Sequence, residues 1–117
     1  MASIPSWNKY GVLPPIDEND PASFSGRSPY DVSITDFILR FNTSKDRYTI
    51  LNGFLRFRSA LHSIGLVSGF QWLNGSFVED IESIESRSPG DIDIVTFYEL
   101  PPGESQASIV KKNPYYF

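Results

Sequence analysis

Apolar residues recur at helical spacing in the first half of this chain and at strand-like density in the second. The stretch "SITDFILRF" opens with Ser33 and Asp36 in the positions of a cap and a first-turn acid. Ile34, Phe37, Ile38 and Phe41 then share one face, which predicts a helix. A longer helix is expected from about Ser44 to Ile64, with a stripe of Tyr48, Leu51, Phe54, Leu55, Leu61 and Ile64. Gly65 stands where a left-handed cap belongs. Gly53, inside the helix, costs about 1 kcal/mol against alanine, so close packing is expected there. "LVSGFQWL" reads as a strand ending at Asn74-Gly75, and "FVEDI" as a short helix. An acidic segment follows and stops at Pro89-Gly90. "DIDIVTFYEL" is β-branched and aromatic and, past its first residues, apolar on both faces, which marks a central strand. The final "ESQASIVKKNPYYF" gives a short helix or loop.

Before Ser33 the pattern is different. Pro, Gly, Ser and Asn dominate, as in "LPP" and "DPASFSGRSP", so residues 1–32 read as an extended arm. Trp7, Tyr10, Val12 and Leu13 give that arm apolar anchors for the body. A chain of 117 residues is one domain, and it can bury roughly two-thirds of its unfolded surface without a disulfide or metal. The expected class is α+β: a small mixed sheet packed against two or more helices, with the extended arm in front.

Composition narrows the chemistry. Cysteine is absent, which removes disulfides, thiolate metal sites and a cysteine nucleophile. The N-terminus lacks a signal-peptide pattern, and no apolar run approaches the roughly 18 residues of a membrane span, so a soluble cytoplasmic protein without a membrane partner is expected. The net charge of −4 argues against duplex DNA, which demands the neutralisation of many phosphates. Charge is segregated, however. Arg40, Lys45, Arg47, Arg56 and Arg58 cluster early, and Glu79, Asp80, Glu82, Glu85, Asp91, Asp93, Glu99 and Glu104 cluster late. The basic cluster reads as a solvated helix face, with a local anion-binding face as the alternative.

Candidate chemistry concentrates at Gly75-Ser76 and Asp91-Ile92-Asp93. On a strand the two aspartates point the same way, about 6.5–7 Å apart. That spacing lets them share hard cations such as magnesium, as two-metal phosphoryl transfer requires. The plainer alternative makes Asp91 a turn cap and Asp93 a solvated strand end. Gly75 lets the backbone approach a ligand closely, and free amides at a helix start, with the Ser76 hydroxyl, attract phosphate. Arg87 either reaches a substrate phosphate or neutralises its acidic neighbours. His62, the single histidine, has no partner in a recognisable motif.

The order Leu73-Asn74-Gly75-Ser76, a spacer, then Asp91-Ile92-Asp93-Ile94 resembles the signature of the DNA polymerase β-like nucleotidyltransferase superfamily. "GVLPP", "ILNGFLRFRSAL", "GFQWLNGSFVED" and "RSPGDIDIVTF" together resemble a family of small uncharacterised bacterial proteins related to minimal nucleotidyltransferases. The resemblance implies Gly75 and Ser76 as the phosphate cradle and Asp91 and Asp93 as magnesium ligands and catalytic residues. It further implies attack by a hydroxyl on the α-phosphate of a nucleoside triphosphate, with release of pyrophosphate. The acceptor would be a protein side chain, an RNA end or a small molecule, and a bacterial defence or toxin–antitoxin setting is what such relatives suggest.

This sequence departs from that pattern twice. Fourteen residues, 77 to 90, separate Ser76 from Asp91, at or slightly beyond the long end of the usual spacing. The third carboxylate that active members place on a later strand has no evident counterpart. Glu99 lies six residues beyond Asp93, about 20 Å along the strand, and Glu104 follows a Pro-Pro-Gly break. In the resembling family that strand lies past the point corresponding to Phe117, so a chain lacking a C-terminal portion is one expectation. The other is a non-catalytic interaction module, an antitoxin-like protein that binds a protein partner or a second copy of itself.

Overall fold

Two capped helices form the body of the protein, and a two-stranded ribbon lies against them. The computed structural model describes residues 4–14 and 30–114. Residues 15–29 of the expected arm and the terminal Tyr115, Tyr116 and Phe117 lie outside the described residues. Helix α1 spans Ile34–Phe41, and the Ser33 hydroxyl accepts from the Asp36 amide at 3.1 Å, satisfying one orphan donor of the first turn. Its expected face turns inward, with Phe37 and Phe41 buried and Ile34 and Ile38 packed beside them.

Helix α2, Lys45–Ser63, is capped by Ser44, whose hydroxyl accepts from the Arg47 amide. At its other end Gly65 is left-handed, with φ of 93°. The Gly65 amide donates to the His62 carbonyl at 3.1 Å and the Leu66 amide to Leu61 at 3.0 Å. Leu61 and Leu66 pack together, which completes a Schellman motif. The inward stripe of α2 differs from the expected one. Arg47, Leu51, Phe54 and Leu61 are buried, while Tyr48 and Leu55 are 55% and 40% exposed. An arginine holds the position the periodicity assigned to an aromatic, and the face turns by one residue to admit it. Gly53 also departs from expectation: it is exposed, and a Cβ there would meet nothing within 4 Å.

Strand β1, Gly69–Asn74, pairs antiparallel with β2, Asp93–Tyr98, in a register running from Gly69 opposite Tyr98 to Asn74 opposite Asp93. Between them lie a 3₁₀ turn at Ser76–Val78 and the short helix α3, Ile81–Glu85. Helix α4, Gln106–Lys112, begins with a capping box of Ser105 and Ser108 and sends Ile109 to Leu61 and Leu66. The protein is therefore α+β, with four helices and one antiparallel ribbon among the described residues. A mixed sheet with β2 at its centre was the expectation. Instead β2 pairs only with β1, and its residues alternate between exposed and half-buried. Ile94 meets the core, while Val95 and Phe97 are 52% and 37% exposed on the side of the ribbon that faces outward among the described residues. No helix of the described residues is long and apolar enough to cross a membrane.

Arg47 ties these parts together. Its side chain is fully buried. Nε and Nη2 donate to the two carboxylate oxygens of Glu82 at 2.7 and 3.0 Å. Nη1 donates to the Phe77 carbonyl and Nη2 also to the Glu79 carbonyl at 2.7 Å. The guanidinium lies 4.9 Å from the Phe77 ring centroid and 5.6 Å from that of Trp7. The planar fork of donors suits arginine to this task, where a lysine ammonium would leave acceptors unmatched. The arm closes over the same segment. Trp7 Nε1 donates to the Val78 carbonyl at 2.8 Å, the Asp80 amide donates to Gly11, and Arg40 stacks on Trp7 at 4.2 Å. Trp7 and Leu13 thus anchor the arm as expected, whereas Tyr10 and Val12 stay exposed. The solvated basic face also gives way, because Arg40, Arg47 and Arg58 all make internal hydrogen bonds.

Two stability measurements check this account. Arg47→Ala should cost about 3–5 kcal/mol in urea unfolding, since it leaves buried carbonyls and a carboxylate without their donor. The hydrogen bonds from Arg47 hold the Glu82 carboxyl below its ordinary pKa. Its stabilising contribution is therefore complete above the unfolded value of about 4.3 and lost as pH falls through the lower folded value. Glu82→Gln should be less stable than the parent at pH 7, and the two should converge in acid; a gap unchanged at about pH 2 would contradict the pairing. Gly53→Ala, by contrast, should raise stability by about 0.5–1 kcal/mol, because the site is helical and open.

Candidate functional site

The turn after β1 and the start of β2 meet at one end of the ribbon. Asn74 lies opposite Asp93 in the register, so Gly75 comes directly beside that aspartate. Gly75 adopts φ 87° and ψ −169°, a conformation essentially reserved for glycine. A Cβ at this position would sit 2.7 Å from Asp93 Oδ2 and 3.1 Å from its Cγ. The missing side chain thus makes room for a carboxylate. The next residues fix the turn in place: Phe77 is fully buried, tilted against Phe41 at 5.9 Å and stacked with Phe37 at 6.0 Å. Its carbonyl is the one Arg47 holds.

Ser76 opens the 3₁₀ turn. The amides at the head of such a turn have no acceptor within it, but three residues make almost no dipole. Any phosphate held here would depend on the Ser76 amide and hydroxyl, because the Asp93 carboxylate fills the space beside Gly75. Asp91 lies two residues before β2, outside the strand in which it was expected. Alternation continues through it nonetheless: Asp91 and Asp93 are exposed, while Ile92 and Ile94 pack into the core. Among the described residues neither aspartate enters an ion pair.

The remaining candidates lie apart or are engaged. Arg87 pairs with Glu85 at 3.1 Å and donates to the Ser88 carbonyl, so it neutralises a neighbour and does not point alone into the site. Glu99 follows the far end of β2, where its amide bonds Ser68 at 2.9 Å. The Glu104 carboxyl is held below its ordinary pKa by hydrogen bonds from Lys112 and Ser108 at the cap of α4. No group of three or more His, Cys, Asp or Glu side chains is arranged to hold a metal among the described residues. His62 is exposed beside a shallow groove at the Gly69–Tyr98 end of the ribbon, opposite the Gly75–Asp93 end. Inside that groove Arg58 donates to Gln71, which donates to Thr96.

Arg47, Phe77 and Trp7 position the turn, and sequence reasoning assigned none of them to it. Arg47 carries no local signal of burial, because its partners lie 30 to 35 residues away. Gly75→Ala tests the junction itself. It should destabilise the fold by about 1–3 kcal/mol through backbone strain, measured by chemical denaturation, and should move the Asp93 carboxylate in a solved structure of the variant.

Neither a curated protein nor a solved structure matches this chain. A family of unknown function, DUF6932, matches residues 5–115, a span that takes in all four helices, the ribbon and the Gly75–Asp93 junction. The chain belongs to the DUF6932 family.

Proposed function

We propose that this is a nucleotidyltransferase-like protein that binds a nucleoside triphosphate with magnesium at Gly75, Ser76, Asp91 and Asp93. The bound triphosphate presents its α-phosphorus to a hydroxyl acceptor: a protein side chain, an RNA end or a small molecule. The observation that carries this reading is the closeness of the Asp93 carboxylate to Gly75, where a Cβ would stand 2.7 Å from Asp93 Oδ2. A glycine-opened turn and an exposed pair of aspartates, far apart in sequence, converge at one end of the ribbon.

The donors suit a hard cation. Both are exposed carboxylates, and magnesium keeps several waters and takes phosphate oxygens alongside one or two protein carboxylates. When bound, it offsets phosphate charge during displacement. The Asp93 carboxylate fills the space that a Cβ at Gly75 would occupy, so the Ser76 amide and hydroxyl are the donors offered to a phosphate. Arg47 and Phe77 keep the turn from collapsing onto the carboxylates.

A second reading, a non-catalytic module that binds a protein partner, is favoured by the location of Glu99 and Glu104 away from the aspartate pair.

Incubation with each labelled nucleoside triphosphate and magnesium separates the two. Magnesium-dependent binding and label transfer are expected in the parent, with both reduced at least about tenfold in Asp91→Asn and Asp93→Asn. Binding without transfer supports the non-catalytic reading. No triphosphate binding at millimolar concentration would sink the proposed site.

A further inference from the structure

The side of the ribbon that is exposed among the described residues is aromatic, and it begins at the aspartates. Cross-strand partners share a face, and residues two apart on a strand return to it. Asn74 and Asp93 therefore stand first in a row, Trp72 and Val95 next, and Phe70 and Phe97 after them. The rings confirm the shared face: Trp72 meets Phe97 edge-on at 4.8 Å, and Phe97 stacks on Phe70 at 4.7 Å. The shelf is open to solvent, with Trp72 49% exposed and Phe70 58%. Phe97 supports both neighbours, so the Trp72 ring is held in one orientation without being covered.

From this arrangement we infer that Trp72 is a stacking platform for the nucleobase of the bound triphosphate. The inference rests on the proposed phosphate site and adds the group that holds the other end of the ligand. One two-residue step along the strand, about 6.7 Å, separates the Asp93 row from the Trp72 row. That is roughly the span of a ribose, so a nucleotide with its phosphates at Gly75 and Asp93 brings its base over the indole. An aromatic face accepts any base, because every base has a π-face. Val95, the cross-strand neighbour, has no hydrogen-bonding group with which to read a base edge. The site therefore takes purine and pyrimidine triphosphates with similar affinity. A nucleic-acid strand running along the whole shelf fits less well, since the chain is acidic overall and a strand needs many phosphates neutralised.

The test compares ligands with and without a base. Affinities for ATP, GTP, CTP and UTP, and for inorganic tripolyphosphate, are measured with magnesium by calorimetry on the parent, Trp72→Ala, Trp72→Leu and Trp72→Phe. Trp72→Ala and Trp72→Leu should each weaken all four nucleotides by about tenfold and leave tripolyphosphate unchanged, while Trp72→Phe restores most of the loss. The four nucleotides should bind the parent within about threefold of one another. Tripolyphosphate binding with nucleotide affinity indifferent to Trp72 would overturn the platform and leave the phosphate site standing. Failure of both ligands to bind the parent would overturn the two together. A self-association abolished by Trp72→Ala, with nucleotide affinity unaltered, would assign the shelf to a second copy of the chain and overturn the inference.

Discussion

The buried guanidinium of Arg47 is the constraint on which the rest of the structure depends. A charge without solvent must find complete compensation, and it does so here from one carboxylate, two carbonyls and two aromatic faces. Those partners all come from residues 77–82 and from Trp7 in the arm. The arginine thereby converts an irregular stretch of chain, with little regular structure of its own, into a fixed surface against α2. No buried side-chain nitrogen or oxygen lacks a partner among the described residues. The polar centre thus forms one satisfied network bordering the Phe37, Phe41, Leu51, Phe54 and Phe77 core.

This network sets the geometry of the Gly75–Asp93 junction from behind. Phe77 is sunk into the core by its ring and held by its carbonyl, so the turn two residues earlier has little freedom. The register of the ribbon then brings Asp93 to the glycine from the other strand. Neither aspartate takes part in holding the fold, whereas Glu82, Glu85 and Glu104 all do through ion pairs. Asp91 and Asp93 stand outside those ion pairs, as several other carboxylates of the described residues do, and the aromatic side of the ribbon starts beside them.

Much of the local structure was legible. Ser33 as a cap, the start of α2 near Ser44, Gly65 as the left-handed stop and the inward face of α1 all follow from interactions within a few residues, which sequence carries directly. The strands were legible in kind, though β1 begins at Gly69 and β2 only at Asp93. The inward face of α2 was misread because hydrophobic periodicity treats arginine as outward-facing. What sends Arg47 inward is a set of acceptors that no window on the helix contains. Gly53 was misread for the converse reason: a glycine in a helix suggests a close neighbour, and here there is none.

The candidate site divides along the same line. The sequence by itself determined the chemistry on offer: a Gly-Ser turn, two aspartates spaced by one apolar residue, no cysteine and a net charge of −4. It also determined which short segments would bend and which would extend, because those preferences are local. Only the tertiary structure decided that Gly75 would face Asp93, that Arg87 would pair with Glu85, and that Val95 and Phe97 would face outward among the described residues. Each of those outcomes depends on strand register and on what packs against the ribbon. Such contacts join residues far apart in the chain, and their free energy exists only once the whole core has formed.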